Sequence, residues 1–288
     1  MERGAQTRFA PAPTGYLHLG HALNAMFVWG LAARFGARVV LRIEDHDRQR
    51  CRPEYEAAIL EDLEWLGFRA DAADGPLRQS ERTAIYEDAL ARLRGAGLVY
   101  ACECSRAAIA ARTAGAATEG ERPYPGTCAN KRLAERPGRG LRVRLPPIPV
   151  RFVDLRHGPE EQHPWEQCGD VLAKDRDGNW TYQFAATVDD LVQRMGLVVR
   201  GDDLRASTGR QILLARLLGR PDPPAFYHHP LIMKSPSQKL SKAGGDTGIR
   251  ELRRQGWTPA RVLGEAAWRA GVAPSREGID PALVSSII

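Results

Sequence analysis

Apolar residues along this chain recur at two spacings. Leu23, Phe27, Leu31 and Phe35 return every four residues and predict a helix over 21–35, ended by Gly36. A short run at 7–10 ahead of it predicts a strand closed by Pro11 and Pro13. After it, Val39, Val40, Leu41 and Ile43 predict a strand over 38–44, apolar on both faces as buried parallel strands are. Pro53 marks a helix start, and its stripe of Ile59, Leu63 and Leu66 runs to Gly67. Residues 71–79 read as a loop, and Ser80 as the N-cap of a helix ending at 95–97. The opening is therefore a β-loop-α-β unit. Its polar residues gather at strand ends and at a helix N-terminus, where ligands bind in open α/β sheets.

The pattern breaks at 100–138, which holds three cysteines, an Ala/Gly/Thr-rich stretch and then a basic run. Residues 139–180 carry short β-like runs at 141–145 and 150–155. Asp177 and Gly178 predict a hairpin turn leading into a strand. Helix, strand and helix resume at 183–195, 197–200 and 203–218. Pro221, Pro223 and Pro224 mark a loop, 231–233 a short strand, and 247–255 and 259–271 two helices. The expectation is an α/β fold with a Rossmann-like parallel sheet. Residues 1–99 form its first half, 100–180 an insertion, 181–245 the second half, and 246–288 a short helical end.

Composition changes this picture little. The 288 residues are 43% hydrophobic and 26% charged, as in an ordinary soluble protein. A net charge of +6 permits a polyanionic partner without requiring one. No apolar run has the length of a membrane span and no apolar leader opens the chain, so the expectation is a cytoplasmic monomer without membrane contact. The five cysteines are odd in number, and Cys102 and Cys104 are one residue apart. That is a poor disulfide framework and a better metal cluster.

Three stretches carry chemistry. His18 and His21 sit in a Gly-containing loop at a helix start, where they could clamp a phosphate, ligate a metal with His46 or Glu44, or be solvated. K-L-S-K at 239–242 is either a cationic loop that closes on a polyphosphate or a solvated basic loop. Cys102, Cys104 and Cys128 suit tetrahedral zinc. Tyr124, Glu103, Glu119, Glu121 or water remain for the fourth position.

Together, P-x-P-x-G-x-x-H-x-G-H at 11–21 and K-L-S-K at 239–242 resemble the two ATP signatures of class I aminoacyl-tRNA synthetases. R-F-A-P-A-P-T-G from Arg8, R-I-E-D ending at Asp45 and V-V-R-G-D-D-L at 198–204 narrow the likeness to the glutamyl/glutaminyl branch. The resemblance covers 7–245. It implies that a carboxylate attacks the α-phosphate of ATP, with Mg2+, and that catalysis is positioning and charge stabilisation. It assigns His18 and His21 to the reacting phosphates, and Lys242 with Lys239 to the departing pyrophosphate. L-Glutamate falls to Arg8, the backbone of Phe9, Ala10, Pro11 and Ala12, and to Glu44, Tyr182 and Arg200. Guanidinium forks suit its carboxylates and Glu44 its ammonium. For one structural Zn2+, the likeness selects Tyr124 beside Cys102, Cys104 and Cys128; Cys51 and Cys168 are read as structural.

The chain ends at Ile288, too soon after Lys242 for an anticodon-binding domain, which needs at least ~100 residues. It thus resembles the truncated glutamyl-Q tRNA(Asp) synthetase family. That likeness implies transfer of glutamate to the queuosine base at the wobble position of tRNA(Asp). The partner is then the anticodon stem-loop, with Lys131, Arg132, Arg136, Arg139, Arg142 and Arg144 as candidate phosphate contacts. Two alternatives are a short glutamyl-tRNA synthetase charging a 3′ end and a non-catalytic, zinc-dependent RNA-binding protein. Gln193, Arg194, Met195 and Gly196 depart from the Gly-Val/Ile turn of the family, and K-L-S-K-A lacks its final serine.

Overall fold

The computed structural model describes residues 5–47, 49–71, 75–113, 122–235, 238–239 and 247–288. The first half runs β1 (Gln6–Phe9), α1 (Leu19–Phe35), β2 (Arg38–Ile43), α2 (Pro53–Trp65), β3 (Leu77–Arg78) and α3 (Thr83–Gly95). Then come β4 (Val99–Cys102), α4 (Arg106–Arg112), β5 (Gly140–Val143), β6 (Val150–Asp154), β7 (Gly158–Gln162), α5 (Pro164–Cys168) and β8 (Val171–Lys174). The second half holds α6 (Tyr182–Val192), β9 (Leu197–Gly201), α7 (Thr208–Leu217), β10 (Ala225–His229), β11 (Met233–Ser235) and β12 (Gln238–Lys239). The helices α8 (Ile249–Arg254), α9 (Pro259–Arg269) and α10 (Val284–Ile287) close the chain.

Parallel pairing gives β1–β2–β3 on one side and β7–β6–β10–β9 on the other, with β7 antiparallel to β6. A parallel bridge between Gln6 and Met195, with Gly196 N–H donating to Gln6 O at 2.9 Å, sets β1 beside the chain entering β9. The sheet is thus an open α/β sheet whose strand order reverses direction between β1 and β9. That reversal is the switch point at which such sheets bind ligands.

Helix α1 lies at the centre of one core. The four-residue repeat predicts a single stripe, yet Ala22, Ala25, Met26 and Val28 are buried along with Leu23, Phe27 and Leu31. Ile249 and Leu252 of α8, Val262 and Leu263 of α9, and Val284 of α10 cover its far side in the same cluster. Each such aliphatic side chain contributes about 1.5–3 kcal/mol when removed from water, so the C-terminal helices complete this core. A second core joins α3, β5, β8, α6, β9 and α7.

Several local expectations change. Ser80 does not cap α3: its N–H and Oγ bond Asp45, at 2.8 and 2.5 Å, in a 3-10 turn at Gln79–Glu81. The loop at 71–79 contains β3, which pairs with β2. The hairpin after β8 ends in a single bridge, Lys174 to Trp180, because Thr181 already starts α6. Asp202–Ser207 forms a separate 3-10 turn ahead of α7. The second half also holds β10, unforeseen because its two polar histidines hide it from an apolar count, and the short strand expected at 231–233 starts only at Met233. Strand β6, within the stretch expected as an insertion, pairs with β10 of the main sheet. Among the described residues of that stretch, β4–β5–β8 alone forms a sheet of its own. The Arg194 departure is accommodated in the left-handed region, with φ of 52°, as the chain leaves α6. Among the described residues, no helix is long and apolar enough to cross a membrane.

Candidate active site

The C-terminal edge of β1 and β9 gathers the predicted residues. Pro11 O accepts from Glu44 N–H at 3.0 Å and Pro13 O from Arg52 N–H at 3.0 Å, which ties the 10–13 turn to the end of β2. Arg8 is buried on β1, Glu44 just past the end of the adjacent β2, and Arg200 on β9. Tyr182 stands in the first turn of α6, half-buried.

Arg42 organises the floor of this site. It is fully buried, with Nη1 on Asp190 Oδ1 at 2.7 Å, Nη2 on Glu44 Oε1 at 3.1 Å, and Nε 3.8 Å from Asp189. Arg8 Nε also reaches Asp190 Oδ1, at 3.0 Å, and its Nη1 donates to Val199 O at 3.2 Å. Asp189 accepts from Arg82, Gln79 and Tyr86. Buried charge persists only when paired and hydrogen-bonded, and here each guanidinium meets a carboxylate. Burial alone raises the Asp190 carboxyl; Arg8 and Arg42 outweigh it and hold it at about 2. Burial raises Glu44 against the pull of Arg42, His46 and Arg8. It also raises the Tyr182 phenol, with Glu44 adding and Arg200 and Arg8 opposing. Arg8, Glu44, Tyr182 and Arg200 therefore share one electrostatic neighbourhood. Arg8 spends Nε and Nη1 on protein partners, so a bidentate grip on a ligand through that pair is not available to it.

His18 and His21 cap α1 reciprocally. His18 Nδ1 accepts from Gly20 N–H and His21 Nδ1 accepts from His18 N–H, both at 3.1 Å. Acceptance at Nδ1 places the proton of each neutral ring on Nε2, a donor. The alternative in which they ligate a metal with His46 fails: His46 Nδ1 lies 2.5 Å from Gln79 Oε1, and the His/Cys/Asp/Glu group that converges among the described residues is Cys102, Cys104 and Cys128. Lys239 lies on β12 opposite Met233. Lys242, Glu119 and Glu121 lie outside the described residues. A cavity of about 310 Å³ opens beside His46 and Gln79, with Ser80, Thr83, Lys174 and Trp180 among its walls.

The three thiol sulfurs lie within 4.8 Å of one another, with Cys104 and Cys128 at 3.6 Å. Tetrahedral zinc with ~2.3 Å bonds to sulfur needs donors about 3.8 Å apart. Tyr124 Oη stands 3.4 Å from Cys102 Sγ and accepts from Cys128 N–H at 2.8 Å. Glu103 is exposed and pairs with Lys131 instead. The three sulfurs are spaced as a metal site requires, and Tyr124 Oη adjoins one of them. Gly169, at φ +65°, permits this: a Cβ there would stand 2.2 Å from Tyr124 O.

Arg142 is not a phosphate contact. It is buried, its guanidinium carbon 3.6 Å above the Tyr124 ring and its Nη1 on Asp170 O at 2.7 Å. Lys131, Arg132 and Arg136 are exposed, while Arg139 and Arg144 are half-buried. Sequence reading also missed Arg42, Asp189, Asp190, Asp154 and His228. The available signal was charge inside apolar runs: V-V-L-R-I on β2 and T-V-D-D-L-V on α6. A charge there must find a buried partner.

Residues 5–278 match the family described as "tRNA synthetases class I (E and Q), catalytic domain". The chain belongs to this family of enzymes. Within it, the chain is similar to the glutamyl-Q tRNA(Asp) synthetase of Symbiobacterium thermophilum, 42% identical across 95% of this chain and 89% of that one. It is 38% identical to the glutamate–tRNA ligase of Frankia casuarinae across 96% of this chain, and spans 58% of that protein. Among solved structures, a glutamate tRNA ligase from Elizabethkingia meningosepticum, in complex with its amino acid, superposes with a TM-score of 0.76 at 27% identity. That match covers 92% of this chain and 60% of the ligase.

Proposed function

We propose that the protein activates L-glutamate with ATP and transfers it to the queuosine base of tRNA(Asp). The observation that carries this reading is the meeting of Arg8, Glu44, Tyr182 and Arg200 at the switch point. Arg200 and the Arg8 Nη2 edge take the substrate's carboxylates. Glu44, its Oε1 held by Arg42, takes the α-ammonium. A glutamate α-carboxylate oxygen then attacks the α-phosphorus of ATP in line, and pyrophosphate leaves. His18 and His21 offer Nε2 donors to the phosphate oxygens as negative charge builds, and Lys239 and Lys242 neutralise the leaving group. An acceptor nucleophile then attacks the adenylate's carbonyl carbon, and AMP leaves.

The acceptor assignment rests on likeness to the glutamyl-Q relative. The cavity beside His46 and Gln79 is the candidate entry for the acceptor base, and the exposed Lys131, Arg132 and Arg136 are candidate contacts for the RNA backbone. One zinc ion at Cys102, Cys104, Tyr124 and Cys128 ties the end of β4 to the 124–128 loop, a structural role. Arg142 offsets the negative charge of that donor set.

The test supplies labelled glutamate with tRNA(Asp) containing or lacking queuosine, and with tRNA(Glu). Label is expected on the queuosine-containing tRNA(Asp) alone. Label on tRNA(Glu) overturns the acceptor, and loss of all glutamate-dependent ATP–pyrophosphate exchange overturns the activity.

A further inference from the structure

We infer that His228 and Asp154 are positioning residues that set the plane of the Arg200 guanidinium toward the substrate's carboxylate; this rests on the reading of Arg200 given above. Strand β10 lies between β6 and β9, and His228 is the Cα partner of Arg200. Arg200 Nε donates to His228 Nε2 at 3.0 Å, and His228 Nδ1 lies 2.6 Å from Asp154 Oδ2. Thr208 Oγ1 and Gln211 Oε1 hold Nη2 and Nη1, at 2.8 and 2.6 Å. Asp154, His228 and Arg200 are all buried.

Thr208 Oγ1 also lies 3.1 Å from His228 Nε2, and its hydroxyl can donate there alongside Arg200, which favours one proton assignment. Because Nε of Arg200 can only donate, His228 Nε2 must accept, so the ring proton sits on Nδ1 and points at Asp154. Asp154 Oδ1 meanwhile accepts from the N–H groups of Arg156 and His157, both at 2.9 Å. Its carboxylate therefore faces donors on both oxygens, a demand that asparagine cannot meet with one oxygen and one amide. The contact at Nε is what stops rotation about the Cδ–Nε bond, and so it decides where the two Nη groups point. Thr208 and Gln211 hold the Nη edge from α7 and Tyr182 of α6 also bonds the guanidinium, whereas His228 fixes Nε from the sheet.

A guanidinium that tilts loses its carboxylate before it loses the fold. The experiment measures KM for glutamate, KM for ATP and kcat in ATP–pyrophosphate exchange. His228→Asn keeps a donor toward Asp154 but removes the acceptor from Arg200. It is expected to raise KM for glutamate about 10- to 100-fold, with KM for ATP unchanged and kcat within a few-fold. His228→Gln restores an acceptor at the Nε2 position but loses the donor toward Asp154, and its KM for glutamate is expected to fall between those of His228→Asn and the parent. An unchanged glutamate KM in folded His228→Asn overturns the inference, as does equal impairment of the two variants. A parent with no exchange overturns the proposed activity instead. The 15N spectrum of labelled histidines then decides the clamp separately: a proton on Nε2 of His228 overturns it, and a proton on Nδ1 upholds it.

Discussion

Replacing Asp190 by asparagine removes the carboxylate shared by Arg8 and Arg42 while keeping its shape. One oxygen of Asp190 receives both guanidinium groups, at 3.0 and 2.7 Å. Arg42 would retain Glu44 at 3.1 Å and the more distant Asp189, but Arg8 would face a neutral amide oxygen and a backbone carbonyl in place of a carboxylate. Removing one partner of a buried pair costs about 3–5 kcal/mol, because the opposite charge is left without compensation. The acid limb gives an independent check. The carboxyl titrates at about 2 instead of its ordinary 3.8. At roughly 1.4 kcal/mol per pH unit, that gap corresponds to about 2 kcal/mol of stability. A depressed carboxylate stabilises fully above its unfolded pKa, and the contribution is lost as pH falls from about 4 toward 2. Urea unfolding of parent and Asp190→Asn should therefore differ by about 3–5 kcal/mol at pH 7. The difference should shrink by about 2 kcal/mol between pH 5 and pH 2. A difference below about 1 kcal/mol at pH 7, or one that stays constant through the acid range, would refute the claim that this carboxylate organises the floor.

Three further outcomes are expected. Lys242→Ala should lower glutamate-dependent ATP–pyrophosphate exchange about 10²- to 10³-fold with an unchanged circular dichroism spectrum; unaltered exchange kinetics would remove this loop from the mechanism. Metal analysis should find one zinc per chain, lost with Cys102→Ser, and a parent protein free of zinc contradicts the four-donor site. Arg194→Gly should raise stability by roughly 0.5–1 kcal/mol in urea unfolding, because an exposed arginine held at φ 52° carries the left-handed penalty that glycine escapes; a loss of stability there would show that its side chain makes a compensating contact.

The parts of the site legible in the sequence were those whose chemistry is local. A Gly/Pro turn, two histidines at a helix start and paired cysteines announce themselves over a few residues. The spacing of 11–21 and 239–242 adds a likeness to a known family. Even so, His18 and His21 read as chemistry alone, while the structure also makes them the cap of α1. Arg142 read as a surface cation because it sits in a basic run; it is buried beneath Tyr124 because β5 pairs between β4 and β8.

What the sequence determined by itself was the α/β alternation and the three-cysteine set, since periodicity and residue type are properties of short segments; Arg8, Glu44, Tyr182 and Arg200 were singled out only through the likeness to a family. Tertiary structure decided which charges meet. Arg42, Asp189 and Asp190 looked like interruptions of apolar runs, and His228 hid a core strand. Their roles follow from β1 lying beside β9 and from β10 lying between β6 and β9. A buried charge is tolerable only with a partner. That partner was as far as 148 residues away for Arg42 and Asp190, a pairing that strand order alone creates.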